Sequence, residues 1–164
     1  MSAIETVTVN VTPVNDEPTL VATGVDPTFT EGDVAAADLF SGVMNVSTIE
    51  SGQTFAAFTL RVTGLSDGTS EVLGIDGSTV TLTDGASVGG GTATNGLTVN
   101  VSEVVAGTVD VLVTGGTLDV AQLTAVIDGL SYTNGSEDPT GGARTATLTF
   151  LKDSGAHGGA AACL

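Results

Sequence analysis

The sequence predicts an all-β sandwich carrying one short helix near residues 119–128. Apolar residues alternate with polar ones along several short stretches, the period of two that half-buries a strand. Turn signals separate these stretches at intervals of roughly 8–12 residues, and 23 glycines and 4 prolines supply them. One segment breaks the alternation: residues 117–129 place apolar side chains at 120, 123, 126 and 127, a helical spacing. A β-solenoid is the architectural rival, given the Thr-x-Thr steps. The chain shows neither a fixed short period nor Gly-Gly-x-Gly-x-Asp nonapeptides, which argues against it.

In order, Glu5 to Thr12 reads as a strand, with Val7, Val9 and Val11 on one face. Thr12-Pro13-Val14-Asn15-Asp16-Glu17-Pro18 interrupts it. Two prolines remove backbone donors and restrict the residues before them, so neither sheet nor helix should continue through this joint. Thr19–Thr23 and Thr28–Thr30 follow as short strands, then a turn at Glu31-Gly32-Asp33. The Ala-rich stretch from Val34 to Phe40 suits a helical or bulged turn, before a strand at Val43–Ser47.

Thr54–Thr63 is the longest strand, with Phe58, Leu60 and Val62 on one face. Phe55 falls out of phase, which predicts a bulge around Ala56-Ala57. After a turn at Ser66-Asp67-Gly68, Asp76-Gly77 joins Glu71–Ile75 to Thr79–Thr83 as a hairpin. Gly89-Gly90-Gly91 reads as an exposed loop. Alternation resumes at Leu97, Val99 and Val101, and again at Val109, Val111 and Val113. The helix has N-cap candidates in Thr117 and Asp119 and a C-cap glycine in Gly129. Leu130–Thr133 returns to strand, and Asn134 to Gly142 is a polar loop. Ala143–Leu151 is the last clear strand, with Ala146, Leu148 and Phe150 on one side; Asp153 onward is Gly/Ala-rich and expected to fray.

Charge is the sharpest compositional fact. Nineteen acidic residues face three basic ones, Arg61, Arg144 and Lys152, for a formal net charge of −16. Such a polyanion repels nucleic acid and anionic membrane surfaces, so neither nucleic acid nor membrane insertion is expected. No apolar run approaches the roughly 18 residues of a membrane helix. The acidity has two readings: a surface kept for solubility, or carboxylates that gather calcium. Cys163, the sole cysteine, builds no intrachain disulfide or zinc framework, and His157 has no second histidine with which to hold zinc. No catalytic constellation stands out, so the chain is not expected to be an enzyme. Met1-Ser2-Ala3 opens no signal-peptide pattern, and an export signal is expected outside this segment.

The run Val14-Asn15-Asp16-x-Pro18 resembles the inter-repeat linker of cadherin-like tandem domains found in large bacterial surface adhesins. Leu118-x4-Leu123-x3-Ile127-x-Gly129-Leu130-x-Tyr132-x-Asn134, running into Thr145–Phe150, is similar to those repeats and to repeats of chondroitin-sulfate-proteoglycan type. The likeness covers about Val14 to Gly155. It implies an Ig-like/cadherin-like sandwich, with residues 1–13 the closing strand and linker of a preceding repeat, 14–155 the repeat itself and 156–164 a flexible tail. It also implies an extender or adhesive module of an extracellular or cell-surface protein, with Ca2+ stiffening the joints between neighbouring repeats.

The ligands so implied are Asn15 and Asp16 in the linker, Glu31 as the loop glutamate, Asp67, and Asp153 at the far end facing the next joint. Asp67-Gly68-Thr69-Ser70-Glu71 departs from the family's Asp-x-Glu spacing by two residues. Calcium takes six to eight hard oxygens, which a joint can collect from linker, loop and strand end. Against this, Asp16 also suits a turn-forming residue beside Pro18, and Glu31 and Glu137-Asp138 suit solvated loops. A second functional reading is a sandwich whose exposed loops, Asn134 to Gly142 above all, grip a cell-surface glycan or protein. Strand order adds one more expectation. The repeat is expected to end after Phe150 without a closing strand of its own, leaving an edge that residues 5–12 of a neighbouring molecule would fill by strand exchange.

Overall fold

The computed structural model describes residues 4–33, 35–155 and 161–162. Its elements are β1 Thr19–Gly24, β2 Ala37–Asp38, β3 Phe40–Ser47, β4 Phe55–Thr63, β5 Glu71–Ile75, β6 Ser78–Thr81, β7 Thr98–Val105, β8 Thr108–Thr114, α1 Val120–Asp128, β9 Ser131–Asn134, β10 Thr145–Asp153 and β11 Ala161–Ala162. Two sheets enclose the core, one in the order β11-β10-β4-β8-β7 and the other β2-β9-β5-β6, while β1 and β3 pair apart from them. The ladders are antiparallel. This is the all-β sandwich with one short helix.

Alternation decides which side chains meet. Phe58, Leu60 and Val62 of β4 and Val109, Val111 and Val113 of β8 point inward from one sheet. Leu73 and Ile75 of β5, Val80 of β6 and Tyr132 of β9 join them in a single cluster from the other. Phe55 is also buried, and the ladder shows why. Ala57 pairs with Lys152 but Phe55 pairs with Asp153, so Ala56 is the extra residue of a bulge. The expected bulge is there.

The Asp76-Gly77 hairpin has φ of 49° and 75° at its two central residues, the left-handed pair that a two-residue turn between twisted strands needs. Asp119 caps α1: its Oδ1 accepts from Gln122 N at 2.8 Å, and Asp119 N donates to Gln122 Oε1 at 3.0 Å. Leu123, Val126 and Ile127 turn into the core. Asp128 Oδ1 accepts from Val43 N, tying the helix to β3.

Several expectations fail. Residues 5–12 form no strand: Val7, Val9 and Val11 are 84%, 78% and 85% exposed and have no ladder partner. Without a partner, a strand's backbone groups go to water. Thr28–Thr30 is likewise not paired; Phe29 instead packs edge-on against Tyr132, ring centroids 5.8 Å apart. Within the Ala-rich stretch, where a helical or bulged turn was expected, the described residues form β2 at Ala37–Asp38 and lead into β3.

β10 does not stop at Phe150. An extra residue, Thr149, shifts its register against β4, so Leu151 and Asp153 are buried after Leu148 while Phe150 is only partly covered. Asp153 and Ser154 do not fray: Ser154 N donates to Thr54 O. Of the expected tail, only Ala161–Ala162 is described, and it pairs with Leu151 and Lys152. His157 and Cys163 lie outside the described residues.

Candidate metal centre at the joint

The β4–β10 ladder gives the sandwich two ends. Phe55 pairs with Asp153 at one and Thr63 with Thr145 at the other. At about 3.3 Å per residue the two lie roughly 25 Å apart. The joint, Asn15 and Asp16, belongs to the Asp153 end.

There, Asn15 Nδ2 donates to both carboxylate oxygens of Asp153, at 3.2 and 3.4 Å, and Gly155 N donates to Asp153 Oδ1 at 2.9 Å. Gln53 Nε2 donates to Asn15 Oδ1 at 2.7 Å. Glu50 Oε1 accepts from Asp16 N at 2.7 Å. The turn between β3 and β4 therefore delivers two side chains to the linker, and the bulge at Ala56 lets Asp153 come in beneath it. Gly155 has no room for a side chain, because a Cβ there would overlap the Asn15 amide.

Two features set this end apart electrostatically. Asp153 is 0% exposed, yet its bonds come only from neutral N–H donors, and no ion pair among the described residues reaches it. A buried carboxylate without a countercharge is costly. Glu50 Oε2 and Gln53 Oε1 are also buried without a hydrogen-bond donor. The carboxylates of Asp153 and Glu50 and the amides of Asn15 and Gln53 thus form one hydrogen-bonded group about the linker, and two of their oxygens are orphaned. No three or more His, Cys, Asp or Glu side chains converge at metal-binding range among the described residues. Any cation here must therefore rely on the amide oxygens as well.

The opposite end solves the same problem with arginine. Glu71, 0% exposed, accepts at Oε1 from Arg144 Nε (2.8 Å) and the Tyr132 hydroxyl (2.9 Å), and at Oε2 from Ser66 N and Asp67 N, both at 2.8 Å. Asp67 Oδ2 accepts from Asn134 Nδ2 at 2.6 Å and from Arg144 Nη2 at 2.9 Å, and Thr140 N donates to both of its oxygens at 3.1 Å. Burial pushes the Glu71 carboxyl up, but Arg144, the two backbone donors and Tyr132 outweigh it and hold it below its ordinary value. Asp67 is held low by Thr140 and Asn134, with Arg144 adding to them. Burial, then the bond to Glu71, pushes the Tyr132 hydroxyl up to about 12.

The expected ligands are accordingly divided. Asn15, Asp16 and Asp153 come together, whereas Asp67 lies at the other end with its oxygens taken by protein donors. Asp153 was expected at the far end and is instead beside its own linker, because β10 runs past Phe150 back to the end where β4 begins. Glu31 is exposed on its turn, and no hydrogen bond joins it to the Asn15 group. Glu137 and Asp138 are exposed loop residues. Sequence reading missed Glu50 and Gln53. Their one signal was position, in the turn immediately before the longest strand.

A cavity of about 560 Å³ opens between the sheets near the Arg144 end. Val62, Leu73 and Leu82 line its floor, and Phe29, Tyr132 and the 139–144 loop its rim.

Comparisons with protein-family models, with curated proteins and with solved structures find no match to this chain. Its functional reading rests on its own residues.

Proposed function

We propose that the chain is a non-catalytic extender or adhesive module of a repetitive secreted or cell-surface protein, with calcium stiffening its joint to a neighbouring repeat. One observation carries this: Asn15 is bonded to Asp153 and Gln53, and in the same hydrogen-bonded group Glu50 Oε2 and Gln53 Oε1 are buried with no donor. The donor set fits calcium, which prefers carboxylate and amide oxygens and tolerates irregular geometry. Asn15, Glu50, Gln53 and Asp153 would hold the ion, with Asp16 at its margin. A bound divalent cation would supply the countercharge that Asp153 lacks and fix the angle at which the linker leaves the sandwich.

Calorimetry with calcium or chelator tests this. Calcium at about 100 times its dissociation constant stabilises by roughly 2.7 kcal/mol. That should raise the melting temperature by roughly 5–10 °C for a domain of this size, and Glu50→Gln should remove most of the gain. A melting temperature indifferent to millimolar calcium would sink the proposal.

The second reading, a sandwich that binds a glycan or protein, draws support from the cavity, which falls in the usual size range for ligand sites of about 300–1,000 Å³. A glycan-array signal abolished by Phe29→Ala would favour it.

A further inference from the structure

We propose that residues 5–12 of a second copy of this chain add as an antiparallel strand to the open edge of β10, seating Val9 in the adjoining cavity and Val7 over the edge of the core. This extends the extender reading by naming a partner, and it does not depend on calcium.

Three separate observations converge. β10 pairs with β4 along its length, but on its other side, among the described residues, only Leu151 and Lys152 have partners, in β11. Among the described residues, Thr145 to Phe150 therefore presents unsatisfied backbone groups, a template for another strand. The cavity opens beside that edge: Thr145 and Ala146 form one wall, and Leu39, Val62, Leu73 and Leu82 give it an apolar lining. Finally, residues 5–12 have the alternation of a half-buried strand and bury none of it, with Val7, Val9 and Val11 exposed and unpaired.

Register follows from the pleat. Directly opposed residues of an antiparallel pair share a face, and Ala146 and Leu148 are the inward-facing residues of this part of β10. Val9 opposite Ala146 faces the cavity and sets Val7 opposite Leu148, over the edge of the core, with Val11 at the cavity's mouth by Arg144. The same direction carries Glu5 toward Lys152. The largely apolar lining beside an open strand edge suits a valine-bearing strand.

The chain cannot do this to itself. Asn15 is held at Asp153, while an antiparallel partner must bring Thr12 to the Thr145 end, roughly 25 Å away. Three residues reach at most about 11 Å. A parallel approach from the joint would first meet Leu151 and Lys152, where β11 already sits.

The test uses the full chain carrying Val7→Asp and Val9→Asp as acceptor, and a labelled peptide of residues 4–13 as probe, in chelator. Both valines lie outside the fold, so at concentrations dilute enough for the unaltered chain to be monomeric the variant should melt as it does. The peptide should bind saturably, and the peptide with both aspartates should bind roughly 100-fold more weakly or worse. In sedimentation, the unaltered chain should self-associate and the variant should not. An absence of peptide binding, equal binding of the aspartate peptide, or identical sedimentation of the two chains would overturn the proposal. So would a glycan that occupies the cavity without being displaced by the peptide. Peptide binding in chelator together with a calcium-indifferent melt would leave strand addition standing and remove only the calcium joint.

Discussion

Asp153 and Glu71 are two fully buried carboxylates with opposite solutions to the same electrostatic difficulty. At the joint, neutral donors hold Asp153 and leave neighbouring oxygens orphaned; at the far end, Arg144 neutralises Glu71 directly. Gly155→Ala isolates the first. Its methyl group would displace the Asn15 amide from Asp153, so calcium should no longer raise the melting temperature, and the metal-free protein should itself lose about 1–3 kcal/mol as the buried carboxylate loses a donor. Calorimetry of the variant with and without calcium reads both quantities; an undiminished calcium response would show that Asn15 is not needed at the site. Glu71→Gln isolates the second. It leaves Arg144, whose side chain is only 12% exposed, with Asp67 as its remaining countercharge, at a cost of about 2 kcal/mol in denaturant unfolding. Glu71 and Asp67 also set the response to acid. Both are held below their ordinary values of 4.5 and 3.8. Their contribution is therefore complete above about pH 4.5 and is lost as pH falls through the lower folded values. Unfolding followed from pH 6 downward, in steps of about one unit, should show this loss. In Glu71→Gln it should be shallower, since the Glu71 protonation no longer counts beside those of Asp67 and Asp110.

At the scale of elements, α1 is the one most completely specified by local chemistry. Asp119 and Gln122 satisfy two otherwise free helix N–H groups reciprocally, and Asp119→Ala should cost about 1 kcal/mol. A loss near zero would mean that packing of Leu123, Val126 and Ile127 alone holds the helix. What was legible in the sequence is of this local kind. The capping pair is three residues apart, the Asp76-Gly77 turn is two adjacent residues, and the bulge announces itself as a phase slip between Phe55 and Phe58. What was not legible depends on distant partners. Asn15 and Asp153 are 138 positions apart and Asn15 and Gln53 are 38, and no spacing rule links them. Residues 5–12 and Thr28–Thr30 carry strand-type composition, but a strand exists only where a ladder receives it. Pattern alone could not say that the first would lie unpaired or that Phe29 would turn onto Tyr132. The second bulge, at Thr149, was hidden for the same reason. It inverts the faces of β10 after Leu148, and it is what turns Asp153 inward beneath the joint.

For the whole molecule, a net charge of −16 confounds every calcium experiment, because any cation relieves general repulsion among nineteen carboxylates. Two of the three basic residues cannot help: Arg61 is bound to Asp110 by a pair of 2.7 Å bonds on the outer face, and Arg144 to Glu71 and Asp67. Diffuse relief and a bound ion nevertheless respond differently to salt. The screening length is about 8 Å at 0.15 M and about 3 Å at 1 M ionic strength, so concentrated sodium chloride should already abolish most of the surface repulsion and raise the melting temperature by itself. Calcium added on top would then have no repulsion left to relieve. If the ion occupies the Asn15–Glu50–Gln53–Asp153 pocket, a further rise should persist in 1 M salt, because a buried site is screened little. Magnesium supplies the discriminating control. It carries the same charge, and would match calcium wherever only charge density counts, but it demands compact octahedral geometry and sheds water reluctantly. A pocket built partly from amide oxygens should therefore respond to calcium well before magnesium. Equal effects of the two ions, both vanishing in concentrated sodium chloride, would mean that the acidity serves solubility and that the joint is held by its hydrogen bonds alone.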